Sequence, residues 1–431
     1  MITRIEIYNY RCFPVLSVDV DRYQVLAGTN GAGKTTLLDI PALLGDLVRG
    51  QRAGDTFLRR PDPQHAPRAT TLAELLFQGR GHSFGFSVEA RLPADIETML
   101  ADTTVTRAQR FAPTHLRYEL RLDVFNDELT VGEEYLFLFS DRGRRPEPGV
   151  MLQGASIGPR HPWRSVIARP PDTALLPPAT LFAPETTSRV RRIPELRVPP
   201  GQPALGAVPA DPTLFPAALW LADLLREGVV FFDPDWTALR QAAPPGDPPR
   251  LLPSARNTPW LALNLQAEHP DRCASWVDHV RTALPQVEQI SAQEREEDHH
   301  AYFSVEYSGG YRVTSSGLSD GTLRILALTL LPYLMPSAVP RLLITEEPEN
   351  GIHPRAIETV VQSLNSLYDS QVWVSTHSPI VLAHTDLGDV LAARLNGDGG
   401  VEVVPGDQHP RLRDWQGSLD IGTLFAAGVL S

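Results

Sequence analysis

The sequence predicts an α/β protein, and three observations lead to this fold class. Residues 1–50 give two strands, a glycine-rich loop and a helix. Residues 84–92 and 116–139 alternate apolar and polar side chains, as antiparallel strands do. The last third of the chain alternates helix, strand, helix and strand. A length of 431 residues favours two or three structural units.

The composition excludes several classes of protein. Hydrophobic residues make up 42% and charged residues 21%, which excludes a disordered chain and a coiled-coil rod. Two cysteines are too few for a disulfide framework and favour a reducing compartment. Because no run of about 18 uncharged apolar residues occurs, we expect a cytoplasmic protein with no membrane contact. The net charge of -12 argues against a surface that coats nucleic acid.

The amino-terminal elements follow from apolar positions and one proline. Ile2, Ile5 and Ile7 predict the first strand, and Tyr23–Ala27 predicts a strand that leads into the glycine loop. Pro41 lies in the helix after this loop. Because proline lacks a backbone donor, we expect that helix to kink or end within two turns.

A Pro-rich region follows, because residues 141–260 hold 23 of the 40 prolines. Long helices and central strands are therefore excluded there, although we predict a short helix at 215–228 and a strand at Val229–Phe232. After the Pro-rich region, residues 260–284 have helical spacing, and residues 302–313 predict a hairpin that turns at Gly309 and Gly310. The last part of the chain predicts two helices, over 322–335 and 354–368, and two strands, over 342–345 and 371–375.

The glycine loop has the pattern of a phosphate-binding P-loop between a strand and a helix. Its backbone N–H groups would face the phosphates of ATP, Lys34 would reach the β and γ oxygens, and the Thr35 hydroxyl would bind Mg²⁺. Lys34 is the only lysine among 39 basic residues, in a chain whose arginine excess fits a GC-rich genome. The predicted nucleotide-binding residues of the loop are Gly28, Asn30, Gly31, Gly33, Lys34, Thr35 and Thr36.

A second motif, residues 316–322, precedes an apolar helix and resembles the LSGGQ signature of ABC-type ATPases. The resemblance implies that the Ser319 hydroxyl and the Gly321 N–H contact a γ-phosphate held by a partner subunit. An ordinary serine cap of a core helix is the alternative.

Two further motifs end predicted strands. Glu346 and Glu347 follow an apolar run, as in a Walker B segment, and His377 follows another in the sequence Thr-His-Ser-Pro. In the matching pattern the first acid helps to hold Mg²⁺, the second orients or deprotonates the attacking water, and the histidine senses the γ-phosphate. A single histidine at a strand end is otherwise a structural residue.

Taken in order, these motifs resemble the ABC-type ATPases of the SMC, RecF and OLD (overcoming lysogenization defect) group, including standalone bacterial members labelled AAA family ATPases. The resemblance covers residues 1–50 and 310–395, and residues 417–430 resemble the tail of the standalone members. It implies a P-loop NTPase fold: an ABC-type ATPase head with an antiparallel β subdomain and an inserted Pro-rich α/β region.

The same resemblance implies domains and site roles. We expect an N-terminal ATPase lobe at 1–140, an insertion or lid at 141–300, and a C-terminal lobe at 301–431. The implied catalytic residues are Lys34, Glu347 and His377, the metal ligands are Thr35 and Glu346, and the cofactors are ATP and Mg²⁺. Two departures are Glu346 in place of Asp, and Asp320 and Thr322 within the signature. A Q-loop glutamine is not assigned, although Gln78 lies in the expected region.

The function implied is a nucleotide switch in which a homodimer sandwiches ATP and hydrolysis releases the two chains. The long interval between Lys34 and Ser319 argues against a transporter ATPase, and its prolines exclude an SMC rod. Too few residues follow Pro379 for a TOPRIM nuclease domain, so we expect any nuclease to be a partner in trans, within a defence module. A RecF-like repair and recombination ATPase is the alternative.

A basic segment at 142–200 has ten arginines against four acidic residues. Such a surface would contact the phosphates of DNA or RNA, with Trp163 and Phe182 nearby, while a solvated insertion is the alternative. The arginines are Arg142, Arg144, Arg145, Arg160, Arg164, Arg169, Arg189, Arg191, Arg192 and Arg197.

Overall fold

In a computed structural model, the chain forms two units. The structure describes residues 1–50, 52–60, 66–103, 112–143, 145–151, 163–171, 180–187 and 197–409, so the predicted tail at 417–430 lies outside them. The first unit contains residues 1–21, 39–228 and 395–403, and the second contains 22–38, 229–394 and 404–431. The division into 1–140, 141–300 and 301–431 follows sequence order instead and stays a prediction.

The first unit is built on an antiparallel sheet. Its strands are β1 (Ile2–Tyr10), β2 (Phe13–Asp19), β4 (Ser83–Arg91), β5 (His115–Phe125), β6 (Glu128–Phe139), β7 (Arg164–Arg169) and β8 (Leu181–Phe182). They pair in the order β2-β1-β4-β5-β6-β7-β8. The antiparallel strands predicted at 84–92 and 116–139 are confirmed. Strand β2 was missed because its buried residues Phe13, Leu16 and Val18 do not alternate strictly.

Short helices accompany this sheet. They are α2 (Ala53–Leu58), α3 (Ala94–Ala101) and α4 (Pro216–Asp223). The helix predicted at 215–228 is therefore α4 followed by a π-helical turn, Leu224–Gly228.

The second unit contains a parallel sheet. Its strands β3 (Tyr23–Ala27), β9 (Val229–Phe232), β13 (Leu342–Glu346), β14 (Gln371–Thr376) and β15 (Val390–Leu395) pair in the order β15-β3-β14-β13-β9. Every residue of β3 and β14 is buried, as expected for parallel strands covered on both faces. The carboxyl ends of β3, β14 and β13 lie side by side, because Ala27 pairs with Thr376 and Ser375 pairs with Glu346.

The other elements of the second unit are mostly helical. Helix α1 (Lys34–Arg49) begins in this unit. The remaining elements are α5 (Trp236–Arg240), α6 (Thr258–Glu268), α7 (Pro270–Ala283), α8 (Asp320–Leu330), α9 (Pro354–Asn365), α10 (Pro379–Ala383), and the antiparallel strands β10 (Val287–Glu294), β11 (Ala301–Tyr307) and β12 (Tyr311–Thr314). The 3-10 turns of this unit lie at Ser315–Gly317, Leu331–Tyr333, Leu387–Asp389 and Gly406–Gln408, and those of the first unit lie at Leu72–Leu75, Phe77–Gly79 and Ala204–Ala207. Strand β16 (Val401–Pro405) includes residues of both units.

Two predictions about helices are corrected by the structure. Of the predicted kink or end of α1 within two turns, the end is wrong, because the helix continues through Pro41 to Arg49. Its apolar side chains, including Leu38 and Leu44, are fully buried, and packing of such a face outweighs one lost hydrogen bond. The helical spacing over 260–284 belongs to two helices, because Pro270 begins a new one.

The other C-terminal predictions are confirmed within a few residues. The hairpin turns at Gly309 and Gly310, which both have positive φ angles, and Tyr307 pairs with Tyr311 across it.

In the part of the chain that is described, no helix is both long enough and apolar enough to cross a bilayer.

Candidate functional site

The glycine loop between β3 and α1 depends on glycine at three positions. A Cβ on Gly28 would lie 2.5 Å from the Ala393 carbonyl oxygen, so no larger residue fits there. Gly31 and Gly33 have φ angles of 81° and 74°, in the region that favours glycine. Helix α1 begins at Lys34, so its N-terminal N–H groups follow directly on the loop. Asn30 is exposed and Thr36 is half-buried.

The Lys34 side chain folds back over the loop. Its Nζ donates to the carbonyl oxygen of Gly28 at 2.7 Å and to that of Thr29 at 3.0 Å. The residue is only 8% exposed. Burial lowers the pKa of Lys34, and the charges of Glu347 and Glu346 oppose this effect. An ammonium group held in this way over the loop is suited to phosphate oxygens.

Thr35 and Glu346 bring a hydroxyl and a carboxylate together. Thr35 Oγ1 donates to Glu346 Oε1 at 2.5 Å, and Ser375 Oγ donates to the same oxygen at 3.3 Å. Mg²⁺ prefers oxygen ligands and is commonly bound by one or two protein groups together with phosphates. The donor set is of the kind that suits Mg²⁺, and the assignment of Thr35 and Glu346 as its protein ligands stays a prediction.

Glu347 is held by two neighbours immediately after β13. Asn350 Nδ2 donates to its Oε2 at 2.6 Å, and His377 Nδ1 lies 2.7 Å from its Oε1. Burial acts to raise the pKa of Glu347, but the bonds from Asn350 and His377 outweigh it and the pKa is lowered. The residue has a positive φ of 45°, a conformation that costs a non-glycine residue roughly 1–2 kcal/mol. An ionised carboxylate fixed in this way can orient or deprotonate a water molecule.

The sequence reasoning missed Glu349 and Thr376. Glu349 is 8% exposed, and Thr376 Oγ1 donates to its Oε1 at 2.5 Å. Burial raises the pKa of Glu349, and the Thr376 hydrogen bond opposes the rise. Asn350 was missed as well. The sequence features that could have indicated Glu349 and Thr376 were the third acid in Glu-Glu-Pro-Glu and the threonine directly before His377.

Ser319 is the N-cap of helix α8, as the alternative interpretation of an ordinary serine cap implied. Its Oγ accepts from the Thr322 N–H at 3.2 Å. A Cβ on Gly321 would lie 2.8 Å from the Gly351 carbonyl oxygen, so the turn after β13 packs against the start of α8. Asp320 pairs with Arg240 at 2.8 Å. The cap is thus present, and contact of Ser319 and Gly321 with a γ-phosphate stays a prediction.

The structure therefore brings Lys34, Thr35, Glu346, Glu347 and His377 to the carboxyl edge of the parallel sheet. Gln78 belongs to the first unit, where its Nε2 donates to the Asp398 carbonyl oxygen at 3.0 Å. It is not assigned a role as the Q-loop residue.

Two arginines of the predicted basic surface are buried. Arg164 and Arg169 are 6% and 4% exposed. They donate to the carbonyl oxygens of Glu185 and Gln202, so they are unavailable to a phosphate backbone. Trp163 and Phe182 are also buried. Exposed arginines of the segment are Arg142, Arg145 and Arg197, while Arg144, Arg160, Arg189, Arg191 and Arg192 lie outside the described residues.

Comparisons with known proteins found one family model and several solved structures to which this chain is similar. Residues 244–383 match the model of a family described as "AAA domain, putative AbiEii toxin, Type IV TA system". The structure is similar to an SMC head bound to the C-winged helix domain of ScpA, with a TM-score of 0.50 and 11% identity over 94% of this chain and 96% of that one. No curated protein matches the sequence.

Two other SMC heads are similar at lower TM-scores. The head domain with an extended coiled coil, bound to the C-terminal domain of ScpA derived from Pyrococcus furiosus, has a TM-score of 0.47 and 10% identity over 94% of this chain and 95% of that one. The SMC head domain from Thermotoga maritima has a TM-score of 0.42 and 12% identity over 94% and 98% of the two chains.

Proposed function

The chain has the fold of an SMC head, which is an ABC-type P-loop ATPase head, and from this premise we propose that it binds and hydrolyses ATP. The observation that carries the proposal is the Glu347 carboxylate, fixed between Asn350 and His377. It lies at the same sheet edge as the pair formed by Thr35 and Glu346. A carboxylate that can act on water thus accompanies a phosphate loop and a pair of Mg²⁺ ligands.

The residues act on the triphosphate in distinct ways. Loop N–H groups and Lys34 bind its oxygens, and Thr35 with Glu346 would hold Mg²⁺, which would neutralise phosphate charge. Glu347 orients the attacking water and accepts its proton as the new bond to the γ-phosphorus forms and the bond to ADP breaks. His377, beside Glu347, senses the γ-phosphate.

We further propose that two chains sandwich ATP, as a switch that closes on binding and opens after hydrolysis. Ser319 and Gly321 of one chain would contact the γ-phosphate bound by the other. The N-terminus of α8 supports this role, because the N–H groups and dipole of a helix start favour an anion.

The biological setting we propose is a defence-type module with a nuclease partner in trans. The family matched by residues 244–383, described as "AAA domain, putative AbiEii toxin, Type IV TA system", supports a defence-type module. Contact with DNA or RNA would use the exposed arginines of residues 142–200. A RecF-like repair ATPase is the second candidate, and the neighbouring gene distinguishes the two, since a small nuclease favours defence and a replication operon favours repair.

The proposed ATPase activity is tested by measuring ATP hydrolysis and ATP affinity of the Glu347→Gln variant. We expect the rate of hydrolysis to fall roughly 100-fold or more, because the amide cannot accept the proton from water. ATP affinity, measured with a fluorescent analogue, should be retained. Glu358→Gln on the exposed face of α9 is the matched control and should hydrolyse ATP at the wild-type rate. A Glu347→Gln protein as active as the control would remove Glu347 from the mechanism.

A further inference from the structure

We propose that Glu349 is a positioning residue that holds His377 against Glu347 by way of Thr376. The proposal rests on the ATPase function proposed above and assigns to that site a residue that does not touch the nucleotide. It concerns the turn that follows β13, the last residue of β14, Thr376, and the two residues between β14 and α10.

Thr376 links Glu349 to the backbone on the other side of His377. Its Oγ1 donates to Glu349 Oε1 at 2.5 Å and accepts from the Ser378 N–H at 2.9 Å. These two bonds use the single donor of the threonine hydroxyl and one of its two acceptor lone pairs. Since Thr376 and Ser378 flank His377 in the chain, these bonds fix the backbone that carries the imidazole.

The turn contacts the same histidine through its ring. Glu347 Oε1 lies 2.7 Å from His377 Nδ1, and the turn is closed by a bond from the Asn350 N–H to the Glu347 carbonyl oxygen at 3.0 Å. Glu347 and Glu349 therefore belong to one small turn. One carboxylate contacts the ring, and the other holds its backbone through Thr376.

The burial of the Glu349 carboxylate is explained by its bond to Thr376. The side chain is 8% exposed, and its Oε2 has no hydrogen-bond partner among the described residues. A buried polar atom without a partner costs stability, so each such atom in a native structure needs an explanation, of which a functional role is one. An apolar residue would avoid this cost but would leave the Thr376 hydroxyl without its acceptor.

The experiment compares two pairs of variants in the full-length protein. Glu349→Ala and Thr376→Val remove the link, whereas Glu349→Gln and Thr376→Ser retain an acceptor and a hydroxyl. We expect the first member of each pair to lower kcat roughly tenfold to 100-fold, because displaced catalytic groups lose rate steeply. KM for ATP and affinity for a fluorescent ATP analogue should stay within about threefold of wild type. The conservative variants should keep most of the wild-type kcat.

A double-mutant cycle with His377→Ala separates positioning from general support of the fold. If Glu349 acts through His377, Glu349→Ala should reduce kcat little further in the His377→Ala background. Independent, multiplying losses would overturn the proposal. So would a Glu349→Ala protein that binds ATP and has wild-type kcat. A wild-type protein without ATPase activity would instead refute the proposed function itself.

Discussion

At the scale of single residues, the position of the Lys34 side chain explains why this basic residue is a lysine and not an arginine. Its Nζ lies within hydrogen-bond distance of two loop carbonyl oxygens, a geometry that a compact ammonium group satisfies. A guanidinium is larger, planar and forked, so it cannot occupy the same point. The structure therefore gives a physical reason for one lysine among 39 basic residues.

We predict that Lys34→Ala and Lys34→Arg both lose nucleotide binding and lower hydrolysis roughly 100-fold or more, because a preorganised charge partner of the phosphates is lost. Binding of a fluorescent ATP analogue and phosphate release measure the two effects. Arg355→Lys, at an exposed position in α9, is the control for the exchange of arginine and lysine and should be neutral. Full activity of Lys34→Arg would contradict the argument.

The residues of the site were only partly predictable from sequence. Glu346, Glu347 and His377 come together as their motifs implied, because strand ends in a parallel sheet share an edge. Glu349 and Asn350 were not predictable in the same way. Their roles depend on a turn in which Glu347 has a positive φ, and no pattern of residue types specifies that geometry.

At the scale of elements, helix α4 starts at a buried carboxylate. Glu185 is fully buried and accepts from the N–H groups of Ala217 and Ala218 at 2.7 and 2.9 Å. These bonds satisfy two of the free donors at the helix start. Burial nevertheless raises the pKa of Glu185 to about 7.

This pKa predicts a pH dependence of stability. Between the ordinary value near 4.5 and about 7, the unfolded chain has lost the Glu185 proton while the folded chain keeps it, so stability falls as pH rises through this window. The loss is at most about 3 kcal/mol. Glu185→Gln should remove this component. Thermal unfolding of both proteins from pH 5 to 8 measures it, and parallel pH profiles would contradict the prediction.

Some elements were predictable and others were not. The fully buried strands and the diglycine hairpin were predictable, because runs of mostly apolar residues and glycine turns are visible in the local sequence. The passage of α1 through Pro41 was not, because the packing that compensates for a missing donor comes from residues distant in the chain.

At the scale of the whole molecule, the chain order of the two units could not be deduced from the sequence. Residues 395–403 belong to the first unit although their neighbours on both sides belong to the second. The unit to which a segment belongs depends on contacts between residues distant in the chain, and local sequence patterns do not predict such contacts. The P-loop, the paired acids, the signature segment and the switch histidine all belong to the second unit.

This placement leads to the central claim, that ATP joins two copies of the chain. If Ser319 of one chain contacts the γ-phosphate bound by another, ATP binds the dimer more tightly than the monomer and must promote association by linkage. We expect the hydrolysis-deficient Glu347→Gln protein to shift to twice the monomer mass when ATP and Mg²⁺ are added, measured by sedimentation.

The most direct measurement is ATP hydrolysis by a mixture of two inactive variants. Ser319→Arg should bind ATP but block closure, because its side chain fills the space of the partner's phosphate, while Lys34→Ala cannot bind ATP. Ser337→Arg, at an exposed position, controls for the added charge. We expect the mixture to regain hydrolysis that neither variant has alone, since each mixed dimer contains one intact loop facing one intact signature segment. A mixture that stays inactive and shows no ATP-dependent change in mass would contradict it.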